Sequence, residues 1–404
     1  MRYRLLFCSV LPTVVLANPA CAKEGDPVEI ADGVTIDPIF NALLRYETVS
    51  QDNIPADANA VTLGMRGGFE AKKDGFSFLV EAEGNLAIVD DYNDTIPGNG
   101  IEPFPVVADP DNVDLNRLQI GYQSGGFGIT VGRQRINLDD QRFAGSVAWR
   151  QSEQTFDAVR GTAKLGPVAL DATYAIEQRT IFGTESPNER FEGDFILLNG
   201  SVDLKPLKIT AFSYILDYET RLAFSSQTYG VRASGAVSLG ENVKLNLLAS
   251  YARQSDVGSN PVDYSADYLA GEAGLSISGF SLKAGYEELG SDGGFAAFQT
   301  PLATLHKFNG FADLFLVTPA AGLQDVYVGA GYKLAGLVPG GVNLGVTYHQ
   351  FDAAEGGADY GSEVDAVVGF KLGPVAMLAK YANYNADGFG VDKEVFWLQA
   401  GYSF

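Results

Sequence analysis

From Thr35 onward, apolar and polar residues keep changing places one by one, and this period of two constrains the fold most. In Pro167–Glu177, Val168, Leu170, Ala172, Tyr174 and Ile176 share one face, opposite Asp171, Thr173 and Glu177. Phe280, Leu282, Ala284 and Tyr286 oppose Ser281, Lys283 and Glu287 in the same way. So do Val342, Leu344, Val346 and Tyr348 against Asn343, Thr347 and His349, and Val364, Ala366, Val368 and Phe370 against Glu363, Asp365 and Lys371. Strand side chains point alternately to opposite faces, so this is the pattern of half-buried β-strands. The last strand is the clearest: Phe396, Leu398, Ala400, Tyr402 and Phe404 form an apolar face that runs to the final residue.

Two solvents satisfy such a pattern, an interior core or lipid. A helical membrane protein is excluded, because each span needs about 20 mostly apolar residues, and the one sustained apolar run is Leu5 to Ala17. Arg2 and Arg4 precede it and Ala20-Cys21-Ala22 follows, so residues 1–22 read as a secretory signal peptide, with residues 23–404 as one barrel domain. Cys8 and Cys21 leave with that segment, which excludes disulfides, thiol catalysis and thiolate metal sites. The formal charge of −22 becomes −24 when Arg2 and Arg4 are removed, so nucleic acid is not an expected partner.

The connections alternate in length. Short links fall at 72–75, 124–126, 164–167, 203–206, 239–242, 278–279, 335–341 and 371–374. Longer polar stretches fall between them, at 50–59, 91–112, 138–151, 180–191, 256–263, 291–322 and 353–359. Short turns at one end and long loops at the other predict an all-β fold, a transmembrane antiparallel up-and-down barrel of about 18 strands. Its lipid belt would be flanked by Phe76, Phe78, Tyr122, Phe127, Phe280, Phe370, Tyr381, Phe396 and Tyr402 as aromatic girdle residues. Outer-membrane lipid is then a partner, and a monomer in the outer membrane of a Gram-negative cell is the expected state. The aromatic C-terminal strand resembles the signal that bacterial barrel-assembly machinery reads.

Polar chemistry is densest in residues 132–160, which hold five arginines and no lysine against Asp139, Asp140, Glu153 and Asp157. Guanidinium forks bind carboxylates bidentately and stay charged. Arg133, Arg135, Arg150 and Arg160 are the candidate pore or substrate contacts, with Arg66 and Arg117 as further wall residues; Arg117 shares the parity of Gln119. Asp139, Asp140 and Asp157 are expected to orient the loop. The alternative is that these acids and arginines satisfy one another and pin an inward-folded loop to the wall.

The stretches GRQRINLDDQRFAGSVAWRQSEQTFDAVR (132–160) and FQTPLATLHKFNGFADLF (298–315) resemble the alginate-export family of outer-membrane barrels. The resemblance implies an anion-selective, arginine-lined pore gated by folded loops that passes an acidic polysaccharide or oligosaccharide. A general nutrient-uptake porin of the same fold is the alternative. In 298–315, Pro301, Asn309 and Gly310 break the alternation and predict a plug-like loop, with Phe308, Phe311 and Phe315 as packing anchors and His306 as a loop hydrogen-bonder or ligand contact. A barrel hydrolase is disfavoured: the only histidines are His306 and His349, and there is no G-x-S-x-G element. No cofactor is expected, nor a metal, since paired acids such as Asp90-Asp91 are ordinary in solvated loops.

Overall fold

The computed structural model describes residues 27–404; the expected signal segment, 1–22, lies outside them. The strands in chain order begin with β1 (Val28–Ala31), β2 (Val34–Gln51), β3 (Ala58–Lys73), β4 (Phe76–Asp91), β5 (Asn112–Ser124), β6 (Phe127–Gln134) and β7 (Thr155–Leu165). Next come β8 (Val168–Arg179), β9 (Arg190–Asp203), β10 (Leu207–Tyr218), β11 (Ser226–Gly240), β12 (Val243–Asp256), β13 (Ser265–Ile277) and β14 (Phe280–Leu289). A two-residue hairpin, β15 (Ser291–Asp292) with β16 (Ala296–Ala297), precedes β17 (Leu323–Leu334), β18 (Val342–Asp352), β19 (Asp359–Leu372), β20 (Val375–Ala386) and β21 (Lys393–Ser403).

The large sheet has 19 strands, and β1 pairs with β2 alone, which leaves 18 in the wall. The sheet closes on itself. β2 pairs with β3 along one edge and with β21 along the other, from Asn41↔Ser403 to Gln51↔Lys393. Lipid offers no hydrogen bonds, so a spanning sheet must leave no open edge.

All eight expected short links connect antiparallel neighbours at one end. The local chemistry explains their tightness: Asp74 (φ 49°) with Gly75 (φ 87°), and Ser278 (φ 46°) with Gly279 (φ 93°), give two consecutive left-handed residues, as a type I′ hairpin requires. At the other end the seven expected long loops are joined by two more, 219–225 and 387–392. The first carries Leu222 and Phe224 at strand-like spacing, which hid the break.

The two faces of the wall meet different surroundings. Leu170, Ile176, Leu282, Val346 and Leu398 are exposed on the outside, whereas Glu81, Thr173, Asp325 and Gln399 on the alternate positions are buried. Bulges adjust this parity where chemistry needs it. A register shift at Glu81/Ala82 lets both Asn116 and Arg117 face inward from β5.

The aromatic belts have different compositions at the two ends. Near the short turns, rings stack on rings: Phe76 on Tyr122 at 4.5 Å, Phe280 on Tyr332 at 4.3 Å, Phe40 on Phe404 at 5.3 Å. Near the long loops, outward tyrosines donate to polar groups one step closer to the loops: Tyr46 to Asn59 (3.0 Å), Tyr251 to Asp267 (2.8 Å), Tyr348 to Gln350 (3.0 Å), Tyr174 to Asp194 and Tyr286 to Glu288. A phenol so placed keeps its ring in hydrocarbon and its hydroxyl at the polar boundary.

The face assignment is testable. Val346→Arg should lower folding stability in liposomes by about 2–4 kcal/mol, measured by denaturant titration, while Thr347→Arg on the lumen side should change it far less. Equal losses at the two positions would contradict the alternation.

Candidate functional site

Two of the long loops, residues 135–154 and 290–322, turn inward and meet inside the barrel. Their contact is made by backbone as well as side chains: Gly145 N donates to Leu302 O (2.9 Å), Thr304 N to Gln141 O (3.0 Å) and Lys307 Nζ to Asp140 O (2.7 Å). Gly145 is required by this approach, because a Cβ there would lie 2.2 Å from Thr304 Oγ1. Phe143 anchors the first loop among Phe212, Tyr268 and Phe298, at 4.9, 5.1 and 6.0 Å. Phe315 anchors the second against Phe351 (4.7 Å) and Phe389 (5.3 Å), and Phe311 lies 5.4 Å from His306.

At the junction, the Trp149 ring stacks on His306 at 4.2 Å and 7°. The Arg45 guanidinium lies 4.3 Å and the Lys380 ammonium 4.2 Å from the same indole. His306 Nδ1 is 3.0 Å from Asp313, and Nε2 is 2.6 Å from Lys380 Nζ. Asp313 and the lysine ammonium together specify a neutral ring with the proton on Nδ1. Burial pushes the His306 pKa down to about 3, and Lys380 and Arg150 push the same way while Asp313 opposes them. His306 is thus committed to holding the loops.

Each candidate arginine has carboxylate partners. Arg66 binds Glu153 (2.6 Å) and Glu83 (3.5 Å); Arg117 binds Glu81 (2.7 Å); Arg135 binds Glu81 (2.9 Å) and Glu153. Arg133 binds Asp157 (2.8 Å), Arg160 binds Asp171 (2.5 Å), and Arg150 binds Glu47 (3.0 Å) and Asp109 (3.5 Å). Burial alone would raise the Glu153 carboxyl, but Arg135, Arg66 and Asn116 outweigh it and hold it down at about 2. The Arg66, Arg117 and Arg135 ions and Glu81, Glu83 and Glu153 thus form one linked network across β3, β4, β5 and the first loop.

The three acids expected to orient the loop bind different partners. Asp157 does hold Arg133. Asp139 instead accepts from Asn199 (2.9 Å), Lys208 (3.3 Å) and Thr210 (3.4 Å), and Asp140 pairs with Arg232 (2.5 Å), so these two tie the first loop to β9, β10 and β11.

Exposure separates a closed side from an open one. Arg45 and Arg142 retain 1% of their side-chain surface, but Arg133, Arg135 and Arg160 retain 16, 22 and 24%. The guanidinium groups of Arg133 on β6, Arg160 on β7 and Arg135 in the first loop are thus partly open to the lumen, whereas Arg45 on β2 and Arg142 are covered by the inward loops. Further charged residues flank these arginines, although Arg179 is itself buried. Arg179 binds Asp114 (2.8 Å) and Glu189 (2.7 Å) above Arg133, and Arg190 lies at the rim. Sequence reading stopped that strand at Glu177, and a register shift at Ala175/Glu177 hides the inward parity of Arg179. Arg45 and Lys380 were also missed, although each shares the inward parity of its buried neighbours, Leu43 and Glu47 for the first, Leu378 and Ala382 for the second.

The model of the alginate-export family matches residues 46–237, from within β2 to near the end of β11. Known structures extend the likeness over the rest of the barrel. OccK9 (OpdG) of Pseudomonas aeruginosa superposes with a TM-score of 0.73 at 13% identity, covering 91% of this chain and 98% of its own. OccAB3 of Acinetobacter baumannii gives 0.69 at 15% identity, with 91 and 99% covered. OpdL of P. aeruginosa gives 0.69 at 17%, with 91 and 98% covered. No curated protein matches the chain. The barrel has the fold of these porins, and residues 46–237 are similar to the alginate-export family. In this barrel, His349 serves the wall, with Nδ1 2.9 Å from Asp325 on β17.

Two outcomes are expected of the loop junction. Arg142→Ala would strand buried Glu287 and Asn309, which Arg142 holds at 2.7 and 3.2 Å. It should destabilise the fold by about 3–5 kcal/mol, against a smaller loss for the half-wet Arg133→Ala, both read by denaturant titration. A histidine whose pKa falls on burial binds fewer protons folded than released, so the junction is firm above about pH 6.5 and weakens as pH falls. Current fluctuations should rise between pH 6.5 and 5 and stay flat in His306→Gln, which keeps a donor and an acceptor without titrating.

Proposed function

We propose that this Gram-negative outer-membrane channel passes a carboxylate-bearing carbohydrate, of the uronate polysaccharide or oligosaccharide class, along the arginines of β5–β8. The observation that carries the reading is the partly exposed guanidinium–carboxylate pairs Arg133–Asp157 and Arg160–Asp171 on neighbouring strands, with the more buried Arg179–Asp114 pair beside them. The alginate-export match over residues 46–237 contains all of them. A uronate carboxylate competes for each guanidinium with the protein's own Asp157, Asp171 or Asp114. Replacing one charge-assisted pair by another costs little net energy, so the solute gains recognition without a deep trap. Multiple weak sites are what conduction requires.

The same pairing sets the origin of selectivity. Lumen arginines with carboxylate neighbours exert little net field at a distance, so the preference for anions rests on exchange at short range. A monomer inserted by the barrel-assembly machinery through β21 completes this reading. A nutrient-uptake porin is the second reading, favoured by the fold likeness to the Occ and Opd barrels over 91% of the chain, where the family match ends at residue 237.

Single-channel recording with uronate hexamers tests the proposal. The oligomers should interrupt the current, neutral hexasaccharides of equal size should do so far less, and Arg133→Ala with Arg160→Ala should shorten the interruptions about tenfold, the change expected from losing about 1.4 kcal/mol. Equal blocking by neutral and acidic oligomers would contradict it.

A further inference from the structure

Most lysines lie at a different height of the barrel from the arginines, with Lys307, Lys380 and Lys393 as the exceptions among the described residues. Every arginine from Arg45 to Arg253 lies mid-strand, near a long loop or within one. Lysines gather at the other end: Lys72, Lys164, Lys208, Lys244, Lys283, Lys333 and Lys371 each lie within four residues of a short turn. All seven share the inward parity of their strands. Lys244 alternates with exposed Leu247 and Tyr251, Lys283 with exposed Phe280 and Leu282, and Lys333 with exposed Val326 and Val328.

Two of the seven have carboxylate partners: Lys72 binds Asp37 and Glu70, and Lys208 binds Asp139. Among the described residues, Lys164, Lys244, Lys283, Lys333 and Lys371 make no ion pair, unlike the arginines above them. Lys283 is the best defined. Its stem crosses Gly329, where a Cβ would come 2.7 Å from Lys283 Cε, and its ammonium lies 5.1 Å from the Tyr327 ring. Unsatisfied polar groups line the same patch. Asn246 is 1% exposed and neither its amide oxygen nor its nitrogen has a partner; Ser276 Oγ and Glu272 Oε1 are likewise unpartnered. The register places them together, with Asn246 opposite Gly274, Gly274 opposite Lys283, and Ser276 opposite Lys244.

We propose that the short-turn mouth is a capture site for a polyanionic chain on the periplasmic side, held by these unpaired lysines. The uronate version of this site rests on the reading given above. A lysine ammonium is a hydrated, mobile point charge, suited to collecting a chain whose charges have no fixed register, whereas arginine forks discriminate carboxylates one at a time. Ammonium groups without carboxylate partners in a low-dielectric mouth raise the arrival rate of opposite charge and leave little retention once salt screens them.

The test compares arrival from the two sides of a planar bilayer at low salt. Insertion is oriented by labelling a single cysteine, Asn99→Cys, at the exposed tip of loop 92–111 in a chain from which residues 1–22, with Cys8 and Cys21, have been removed. Uronate hexamers added on the short-turn side should block about tenfold more often than from the loop side. The excess should vanish in 1 M salt and in K244Q/K333Q/K371Q, whose native heat-modifiable mobility confirms folding. An unchanged block rate in that variant overturns the proposal. If hexamers block from neither side, the proposed solute is wrong, and inorganic polyphosphate then decides the lysine site alone: side-dependent, lysine-dependent arrival supports it and equal rates reject it.

Discussion

Closure in a medium without hydrogen-bonding partners governs everything else in this barrel. Each strand of the wall has two neighbours, and the pairing of β2 with β21 removes the last open edge. Closure fixes the parity of every strand, because a slip by one residue would put the inner charges in lipid and the outer leucines in water. Two of the places where the wall departs from strict alternation, the bulges at Glu81/Ala82 and Ala175/Glu177, lie beside arginine pairs.

With the outside committed to lipid, the inside has to solve the opposite problem, a dense set of charges in a narrow space. It does so by pairing. Arg142 with Glu287, Arg150 with Glu47 and Asp109, and Arg66 with Glu153 are buried combinations that would be costly if either partner were removed. The Trp149–His306 stack joins the two inward loops at a neutral contact between the cations Arg45 and Lys380. The loops thereby cover Arg45 and Arg142 while leaving Arg133 and Arg160 partly exposed.

Much of this was legible in the sequence because a period of two is local. The short turns, the strand number, the lipid-facing C-terminal strand and the inward plug over 298–315 all follow from patterns a few residues long. The pairings were not legible, because they depend on which inner positions share a height. Arg45 meets Asp109 and Arg142 meets Glu287 only once strand tilt and loop path are fixed. Asp139 and Asp140 illustrate this: they sit beside Arg142 in sequence, yet bind Lys208 and Arg232 on the wall. Loops 219–225 and 387–392 escaped because each is short and flanked by continuing strands. The separation of lysine from arginine along the barrel axis is written in the sequence too, but it emerges only after the turns have been placed.

The measurement closest to the central claim is a covalent link across the closing pair. Thr48 of β2 lies opposite Phe396 of β21, and directly opposed strand residues bring their Cβ atoms to about 4.5–5.5 Å. In a chain whose residues 1–22 have been removed and which carries T48C and F396C, mild oxidation of the folded protein in liposomes should form an intrachain disulfide that joins the two ends, visible as altered mobility after unfolding. Failure to form that bond in folded, membrane-inserted protein would mean that the first and last strands are not neighbours, and the closed channel would have to be abandoned.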